Sequence, residues 1–330
     1  MITDWNIERI LREIERRKCK TVVLQLPEGL KKEAVHVAKE IEEKGNVQVV
    51  VSADPCYGAC DLLDFRGDLL VHIGHAPLPY LPDEGILFVE LSSECNALPL
   101  LEEALPKLKR SVAITAAIQF VPTLPLARKF LEEKGVRVYV GEGDSRIAYP
   151  GQVLGCNFSA PRAVADKVEQ ILHVGEGNFH PLGIAMATGK EVLILDPEKN
   201  QIRDVSELRD SILRQRHAIL SELSTATTFG ILLSSKIGQY RFRLASRVKN
   251  LVESQGRRAI LLLLDSLAPD LLLSYDVDAF ISVACPRIAI DDFAAYKKPI
   301  ITPVEAEIVL GRRNWEEYAF DEIPGPESED

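Results

Sequence analysis

This sequence has no long apolar run, no excess of basic residues and no pair of cysteines with CxxC spacing. The longest apolar runs, such as residues 259–264, are far shorter than the ~20 residues that a membrane-spanning helix needs. The first residues lack a basic stretch followed by an apolar one, so no secretion signal is visible. A net charge of −10 disfavours a broad nucleic-acid surface, because phosphate contacts need clustered Lys and Arg. We therefore predict a cytoplasmic protein without a membrane segment and without a direct nucleic-acid partner.

Six cysteines are spread over 330 residues. In a reducing compartment this spacing argues against a disulfide framework and leaves buried thiols, metal ligands or catalytic groups. Cys56 and Cys60 are separated by three residues, one more than in a thioredoxin-type redox pair. They could begin a CxxxCxxC motif of the usual radical S-adenosylmethionine enzymes. Leu63 stands where the third cysteine should be, so that motif is excluded in its usual form.

One pattern of strands and helices repeats three times along the chain. Each third opens with an apolar, β-rich run, and a loop and a helix with apolar residues three and four apart follow it. The first strands are predicted at residues 21–26, 111–116 and 229–234. Later strands are predicted at residues 47–51, 69–73, 86–91, 136–140, 171–174, 191–195, 259–264, 279–283 and 299–303, and an extra helix at residues 205–223.

Strands that are apolar almost throughout and alternate with helices are typical of parallel sheets covered on both faces. We predict an α/β fold of three similar domains in a pseudo-threefold arrangement, each a four-stranded parallel sheet with flanking helices. The domains are placed at residues 1–98, 99–197 and 198–330, and the acidic tail at residues 321–330 is expected to be solvated and mobile. One or two unrelated doubly wound domains are the alternative.

Each predicted domain has one cysteine in a strand-to-helix loop: Cys60, Cys156 and Cys285. Ligands of parallel sheets gather at the carboxyl ends of the strands, so a pseudo-threefold arrangement would bring these thiols together. Three thiolates suit an iron–sulfur cluster that leaves one iron open. A structural zinc site is the weaker prediction, since it takes four ligands with two short spacings.

The remaining cysteines and a histidine pair are expected to have structural roles. Cys19, Cys56 and Cys95 are interpreted as small structural thiols. His72 and His75 lie at a strand end, and no third ligand is spaced to join them in a metal site. We therefore predict that these two histidines are hydrogen-bonded loop residues.

Three separated motifs resemble those of one known family. They are Tyr-Gly-Ala-Cys-Asp at 57–61, Gly-Cys-Asn at 155–157 and Ala-Cys-Pro-Arg-Ile-Ala-Ile-Asp-Asp at 284–292. Gln-Leu-Pro-Glu-Gly-Leu at 25–30 and Ser-Ser-Lys-Ile-Gly-Gln at 234–239 support the match. Over essentially its whole length, the chain resembles the archaeal 2-(3-amino-3-carboxypropyl)histidine synthases, which carry out the first step of diphthamide biosynthesis.

The resemblance implies a homodimer of three-domain subunits, with a [4Fe–4S] cluster on Cys60, Cys156 and Cys285. It implies that S-adenosylmethionine meets the open iron and that an external electron donor drives formation of a 3-amino-3-carboxypropyl radical. The radical attacks C2 of a histidine on translation elongation factor 2, and methylthioadenosine is released.

Polar residues of the third domain are the candidates for binding S-adenosylmethionine. Lys236, Gly238 and Gln239 follow the first strand, where backbone N–H groups and a side-chain amide could grip a carboxylate. The resemblance places the Gly-Gln segment in the cofactor pocket. Arg287 could balance a carboxylate or the anionic cluster, and Asp291 could face the adenosine or the substrate; either could instead cap the following helix.

Two other functions stay open at this point. A quinolinate synthase type of enzyme also resembles three α/β repeats that share one cluster through three cysteines, and it condenses and dehydrates without S-adenosylmethionine. A non-enzymatic α/β module that closes on a small ligand, with merely buried cysteines, is the second. Methylthioadenosine formation and the iron content after anaerobic purification separate the three hypotheses.

Overall fold

In the computed structural model of this protein, residues 5–326 are described, and three parallel sheets with flanking helices follow one another along them. The first unit contains the strands β1 (Thr21–Gln25), β2 (Gln48–Val51), β3 (Leu69–Ile73) and β4 (Ile86–Val89), with the helices α1 (Ile7–Arg17) and α2 (Ala34–Gly45). Its strand order is β2-β1-β3-β4, and every neighbouring pair is parallel.

The second unit repeats this order and adds one strand. It contains β5 (Ser111–Ala116), β6 (Arg137–Tyr139), β7 (Gln170–Val174), β8 (Glu191–Asp196) and β9 (Gln201–Asp204), with α3 (Leu98–Ala104), α4 (Leu124–Glu133), α5 (Ser159–Arg162) and α6 (Phe179–Thr188). The order is β6-β5-β7-β8-β9, and β9 pairs antiparallel with β8. This fifth strand was not predicted, and the predicted domain boundary at residue 197 falls inside the hairpin that forms it.

The third unit contains β10 (Thr228–Ser234), β11 (Arg258–Leu264), β12 (Ala279–Ser282) and β13 (Ile300–Ile301). Its helices are α7 (Ser206–Glu222), α8 (Phe242–Ser254), α9 (Pro269–Leu272), α10 (Arg287–Ile290) and α11 (Pro303–Val309). The strand order is β11-β10-β12-β13, again all parallel. The predicted α/β fold of three similar parallel-sheet domains is confirmed, and the extra helix predicted at residues 205–223 is α7.

The shared topology explains the repeated sequence pattern. In each unit the first strand lies between the second and third, so helices cover both of its faces and it reads as a continuous apolar run. The second strand lies on one side of this first strand, and the third and fourth strands lie on the other side, so the direction in which strands are added reverses here. A loop crevice therefore opens at the carboxyl ends of the strands, where α/β proteins bind ligands.

The C-terminal segment returns from the third unit to the second. The backbone N–H of Ile323 donates to the carbonyl of Cys156 over 2.7 Å, and Asn157 Nδ2 donates to the carbonyl of Ile323 over 3.1 Å. Phe320 is buried in the apolar core of the second unit. The prediction of a solvated, mobile tail is therefore wrong for residues 321–326, because apolar anchors inside this acidic stretch hold it to the protein. Residues 327–330 of the predicted tail lie outside the described residues.

An ion pair joins two helices inside the third unit. The guanidinium of Arg216 on α7 donates to both carboxylate oxygens of Glu305 on α11, over 2.7 and 2.6 Å, and both side chains are fully buried. Glu305 also closes a capping box with Thr302 at the start of α11. Along residues 5–326, none of the helices is both long enough and apolar enough to cross a lipid bilayer.

Candidate metal centre

The three cysteines singled out in the sequence lie in strand-to-helix loops, one in each unit: Cys60 and Cys156 follow the second strand of their units, and Cys285 follows the third strand of its unit. Cys60 is in a short 3-10 turn, Ala59–Asp61, that follows β2. Cys156 lies in the loop between β6 and α5, and Cys285 lies between β12 and α10. Cys156 is buried, whereas Cys60 and Cys285 are partly exposed.

Electrostatic coupling shows that these thiols share one region. Burial raises the pKa of Cys60 well above its ordinary value, and negative charge on Asp61, Cys156 and Cys285 raises it further. Burial likewise raises the pKa of Cys285 to about 12, with Cys156 as the next contributor. Since such effects decline with distance, each unit brings its thiol to the same junction. A raised pKa keeps the thiols of Cys60 and Cys285 protonated at neutral pH, so a metal that bound these sulfurs would displace their protons.

The third unit holds the Cys60 turn through Asp61. The Asp61 carboxylate accepts hydrogen bonds from Lys236 Nζ and from Gln239 Nε2, each over 3.0 Å, and from the backbone N–H of Tyr57 over 2.6 Å. Gln239 Nε2 also donates to the sulfur of Cys60 over 3.3 Å. Asp61 was not among the predicted site residues, although it is the last residue of the motif at 57–61.

Gly238 lies directly against the backbone of Cys60. A Cβ added at Gly238 would stand 2.5 Å from the Cα of Cys60, closer than such atoms approach in proteins. Glycine is required here because two backbones from different units meet without room for a side chain. Of the five residues predicted to bind S-adenosylmethionine, three therefore lie at the Cys60 turn: Lys236, Gly238 and Gln239.

The other two predicted residues pair with each other. Arg287 Nη2 donates to the Asp291 carboxylate over 2.6 Å, and both side chains are exposed. The guanidinium of Arg287 also lies 5.1 Å from the ring centre of Phe179, in the second unit. Arg287 thus spans the boundary between two units beside Cys285, while contact of either residue with S-adenosylmethionine stays a prediction.

Arg146 reaches the same junction and was missed in the sequence. Its Nη1 donates to the hydroxyl of Tyr80 in the first unit over 2.7 Å, and its Nη2 donates to the carbonyl of Gly238 in the third over 3.0 Å. Nη2 also lies 3.8 Å from the sulfur of Cys156. Arg146 belongs to a Gly-, Asp- and Ser-containing loop that reads as a surface turn, so no local pattern marks it.

A cavity of about 120 Å³ opens at this meeting point of the three units. Its lining residues come from the first unit, the second unit, the third unit and the returning C-terminal segment. They are Tyr80, Arg146, Ile237, Gly238, Gln239, Tyr240, Arg241, Ile323, Pro324 and Pro326. Ile237 and Tyr240 are exposed, so apolar and aromatic surface borders the opening.

Cys56 lies beside His72 and His75, and one ligand atom of each residue falls within 4.8 Å of the others. The expectation that no third ligand joins the two histidines is therefore wrong. Gln25 Nε2 donates to the carbonyl of Asp61, which leaves its Oε1 to accept from His72 Nδ1 over 2.8 Å. His72 Nε2 then accepts from His75 Nδ1 over 3.0 Å, so hydrogen bonds account for the pair, as predicted, although His72 belongs to strand β3 and not to a loop. Burial raises the pKa of the Cys56 thiol to about 12.

The comparisons with known proteins agree with one another. The family model of the diphthamide synthesis proteins matches residues 26–319. The 2-(3-amino-3-carboxypropyl)histidine synthase of Pyrococcus horikoshii is 39% identical over 324 residues, covering 96% of this chain and 92% of the relative. Its namesake from Methanocaldococcus jannaschii is 33% identical over 341 residues, with the same two coverages, 96% and 92%. The crystal structure of Dph2 from Pyrococcus horikoshii with a 4Fe-4S cluster superimposes with a TM-score of 0.91 at 37% identity, covering 98% of this chain and 95% of that one.

Proposed function

This chain belongs to the diphthamide synthesis protein family, and we propose that it is the 2-(3-amino-3-carboxypropyl)histidine synthase of the first step of diphthamide biosynthesis. It is a transferase that moves the 3-amino-3-carboxypropyl group of S-adenosylmethionine to C2 of a histidine of translation elongation factor 2. Methylthioadenosine is the second product. The family match and the named relatives favour this function over a quinolinate synthase type or a non-enzymatic binding module.

A [4Fe–4S] cluster fits the residues at the junction of the three units. The observation that carries the proposal is that Cys60, Cys156 and Cys285, one from each unit, influence one another electrostatically at the junction of the three units. Sulfur ligands are those that iron–sulfur clusters take, and three of them leave one iron open. When bound, the cluster supplies the electron that breaks the bond between sulfur and the γ-carbon of S-adenosylmethionine.

The chain's own residues hold and orient what binds there. We propose that Cys60, Cys156 and Cys285 hold the cluster and that Gly238 and Gln239, which line the cavity, contact the amino-acid end of S-adenosylmethionine. Firm orientation is needed because it decides which carbon–sulfur bond breaks. The ammonium of Lys236 forms an ion pair with Asp61. Lys236 therefore stabilises the loop that carries Gly238 and Gln239.

The partners follow from the reaction. The protein substrate is elongation factor 2, and its histidine must enter through the opening bordered by Ile237 and Tyr240. An external electron donor is needed to reduce the cluster, since neither S-adenosylmethionine nor the imidazole supplies the electron that starts the cleavage. We further propose a homodimer that works in the cytoplasm without direct nucleic-acid contact, in line with the net charge of −10.

The deciding experiment uses anaerobically purified protein, dithionite, elongation factor 2 and S-adenosylmethionine labelled in the aminocarboxypropyl group. We expect methylthioadenosine in solution and label on the elongation factor. An intact cluster without methylthioadenosine would favour the quinolinate synthase type, and colourless protein without iron would favour a binding module.

Iron and sulfide analysis of cysteine variants tests the ligands. We expect Cys60→Ala, Cys156→Ala and Cys285→Ala each to lose most of the bound iron, because two thiolates hold a cluster poorly. Cys19→Ala and Cys95→Ala are the matched controls and should retain it. Full iron retention in any of the first three variants would contradict the ligand set.

A further inference from the structure

The described part of the chain contains three arginines whose side chains are buried, and two of them have carboxylate partners. Arg216 pairs with Glu305, and Arg241 donates to both oxygens of Asp321 over 3.0 and 3.2 Å. The third, Arg146, is 2% exposed and pairs with no carboxylate among residues 5–326. The two other buried guanidinium groups thus each lie beside a negatively charged carboxylate.

The guanidinium of Arg146 has only neutral polar partners among the described residues, while its backbone N–H donates to the Asp144 carboxylate over 2.9 Å. The partners of the guanidinium are the hydroxyl of Tyr80, the carbonyl of Gly238 and the sulfur of Cys156. Its Nε is buried and has no hydrogen-bond partner within residues 5–326. An unpaired buried charge is costly, so a counter-charge is expected at the place that this guanidinium faces.

The position of the guanidinium identifies that counter-charge. One of its nitrogens contacts Cys156 directly and also the carbonyl of Gly238, the residue at which an added Cβ would stand 2.5 Å from the Cα of Cys60. The cation therefore lies beside the Cys156 thiol and close to the backbone of Cys60. Deprotonated cysteines that carry an iron–sulfur cluster would place their negative charge within reach of it.

We propose that Arg146 is a positioning residue that supplies the counter-charge of the three-cysteine site and thereby raises the reduction potential of the cluster bound there. A nearby cation favours the reduced cluster because reduction adds negative charge. The inference rests on the proposed function, since it needs the cluster.

The test compares Arg146→Met and Arg146→Lys with wild type and with Arg216→Met, a matched buried arginine far from the cysteines in sequence. Two quantities are measured: the thermal midpoint of the metal-free protein, and the midpoint potential of the reconstituted cluster by redox titration followed by electron paramagnetic resonance. We expect metal-free Arg146→Met to unfold at the wild-type temperature or above it, since an uncompensated charge has gone. Its cluster potential should shift to more negative values, with Arg146→Lys between the two.

Arg216→Met should behave in the opposite way, with a lower thermal midpoint and an unchanged potential, because it leaves Glu305 unpaired and does not touch a cysteine. If Arg146→Met takes up no cluster while Arg146→Lys does, the need for positive charge is supported. Equal potentials in Arg146→Met and wild type would overturn the proposal, as would failure of both Arg146 variants to take up a cluster. Absence of a cluster in wild type would instead overturn the proposed function.

Discussion

The side-chain amide of Gln239 donates a hydrogen bond to the sulfur of Cys60, so that the third unit contacts a thiol of the first over 3.3 Å. The same nitrogen donates to Asp61, which Lys236 also contacts. Hydrogen bonds to a ligand sulfur are among the levers that set the potential of an iron–sulfur cluster. The hydrogen bonds of Gln239 thus join the first and third units and also reach a proposed metal ligand, Cys60.

Removing the Asp61 charge should weaken the junction between the first and third units. Asp61→Asn leaves the partly buried ammonium of Lys236 without its carboxylate, so we expect the free energy of unfolding to fall by about 3 kcal/mol. The measurement is denaturant unfolding of Asp61→Asn, Lys236→Met and the double variant. The double variant should lose less than the two single losses together, and strict additivity would show that the pair is not coupled.

Gly238→Ala should displace Cys60. The added methyl group would meet the Cα of Cys60 at 2.5 Å, so one of the two backbones must move. We expect most of the bound iron to be lost after anaerobic reconstitution. Gly29→Ala is the control, since nothing lies within 4 Å of its added Cβ, and equal iron content in the two variants would refute the close approach.

Histidine burial makes stability depend on pH. Burial lowers the pKa of His72 to about 3 and those of His75 and His180 to about 4, and it lowers the pKa of His173 well below its ordinary value. The folded pKa values lie below the unfolded one, so the unfolded chain binds more protons as the pH falls below about 6.5. Each histidine therefore stabilises the fold above that pH, and this contribution declines by on the order of 1 kcal/mol per pH unit below it.

The variant His173→Asn isolates one of these contributions. Its free energy of unfolding should depend less steeply on pH than that of wild type between about pH 6.5 and about pH 5. His36→Asn is the control, since the side chain of His36 is 69% exposed, and it should keep the wild-type slope. Parallel pH profiles for wild type and His173→Asn would contradict the lowered pKa.

Phe320 should be a major anchor of the C-terminal segment. It is 3% exposed and packs edge-on against Phe158 and Phe179 of the second unit, at ring-centre distances of 5.6 and 5.9 Å. We expect Phe320→Ala to lower the free energy of unfolding by about 3–5 kcal/mol. Phe242→Ala, at a ring that is 48% exposed, should cost far less in the same denaturant titration; equal losses would mean that the segment is not anchored.

Much of the fold could be predicted because its signals are local. The apolar strands of all three units were located within one or two residues, as at residues 69–73 and 111–116, since an inner parallel strand must be apolar on both faces. The fifth strand of the second unit was missed, because Gln201–Asp204 is short and polar and pairs only at the sheet edge. The prediction of a mobile tail was based on the acidic composition of this segment. It overlooked two apolar residues, Phe320 and Ile323, that anchor the segment to the second unit.

The sequence by itself determined three α/β units, the strand-to-helix loops of each and one cysteine in such a loop of every unit, because strand pattern and loop position are properties of neighbouring residues. Only the tertiary structure decided that Gln239 contacts Cys60, that Cys56 lies beside His72 and His75, and that the Arg146 guanidinium lies beside Cys156 with no carboxylate partner in the described part of the chain. These contacts depend on the relative orientation of the three units. That orientation is set by the shapes of whole surfaces, and it cannot be predicted from the periodicity of any single stretch of the chain.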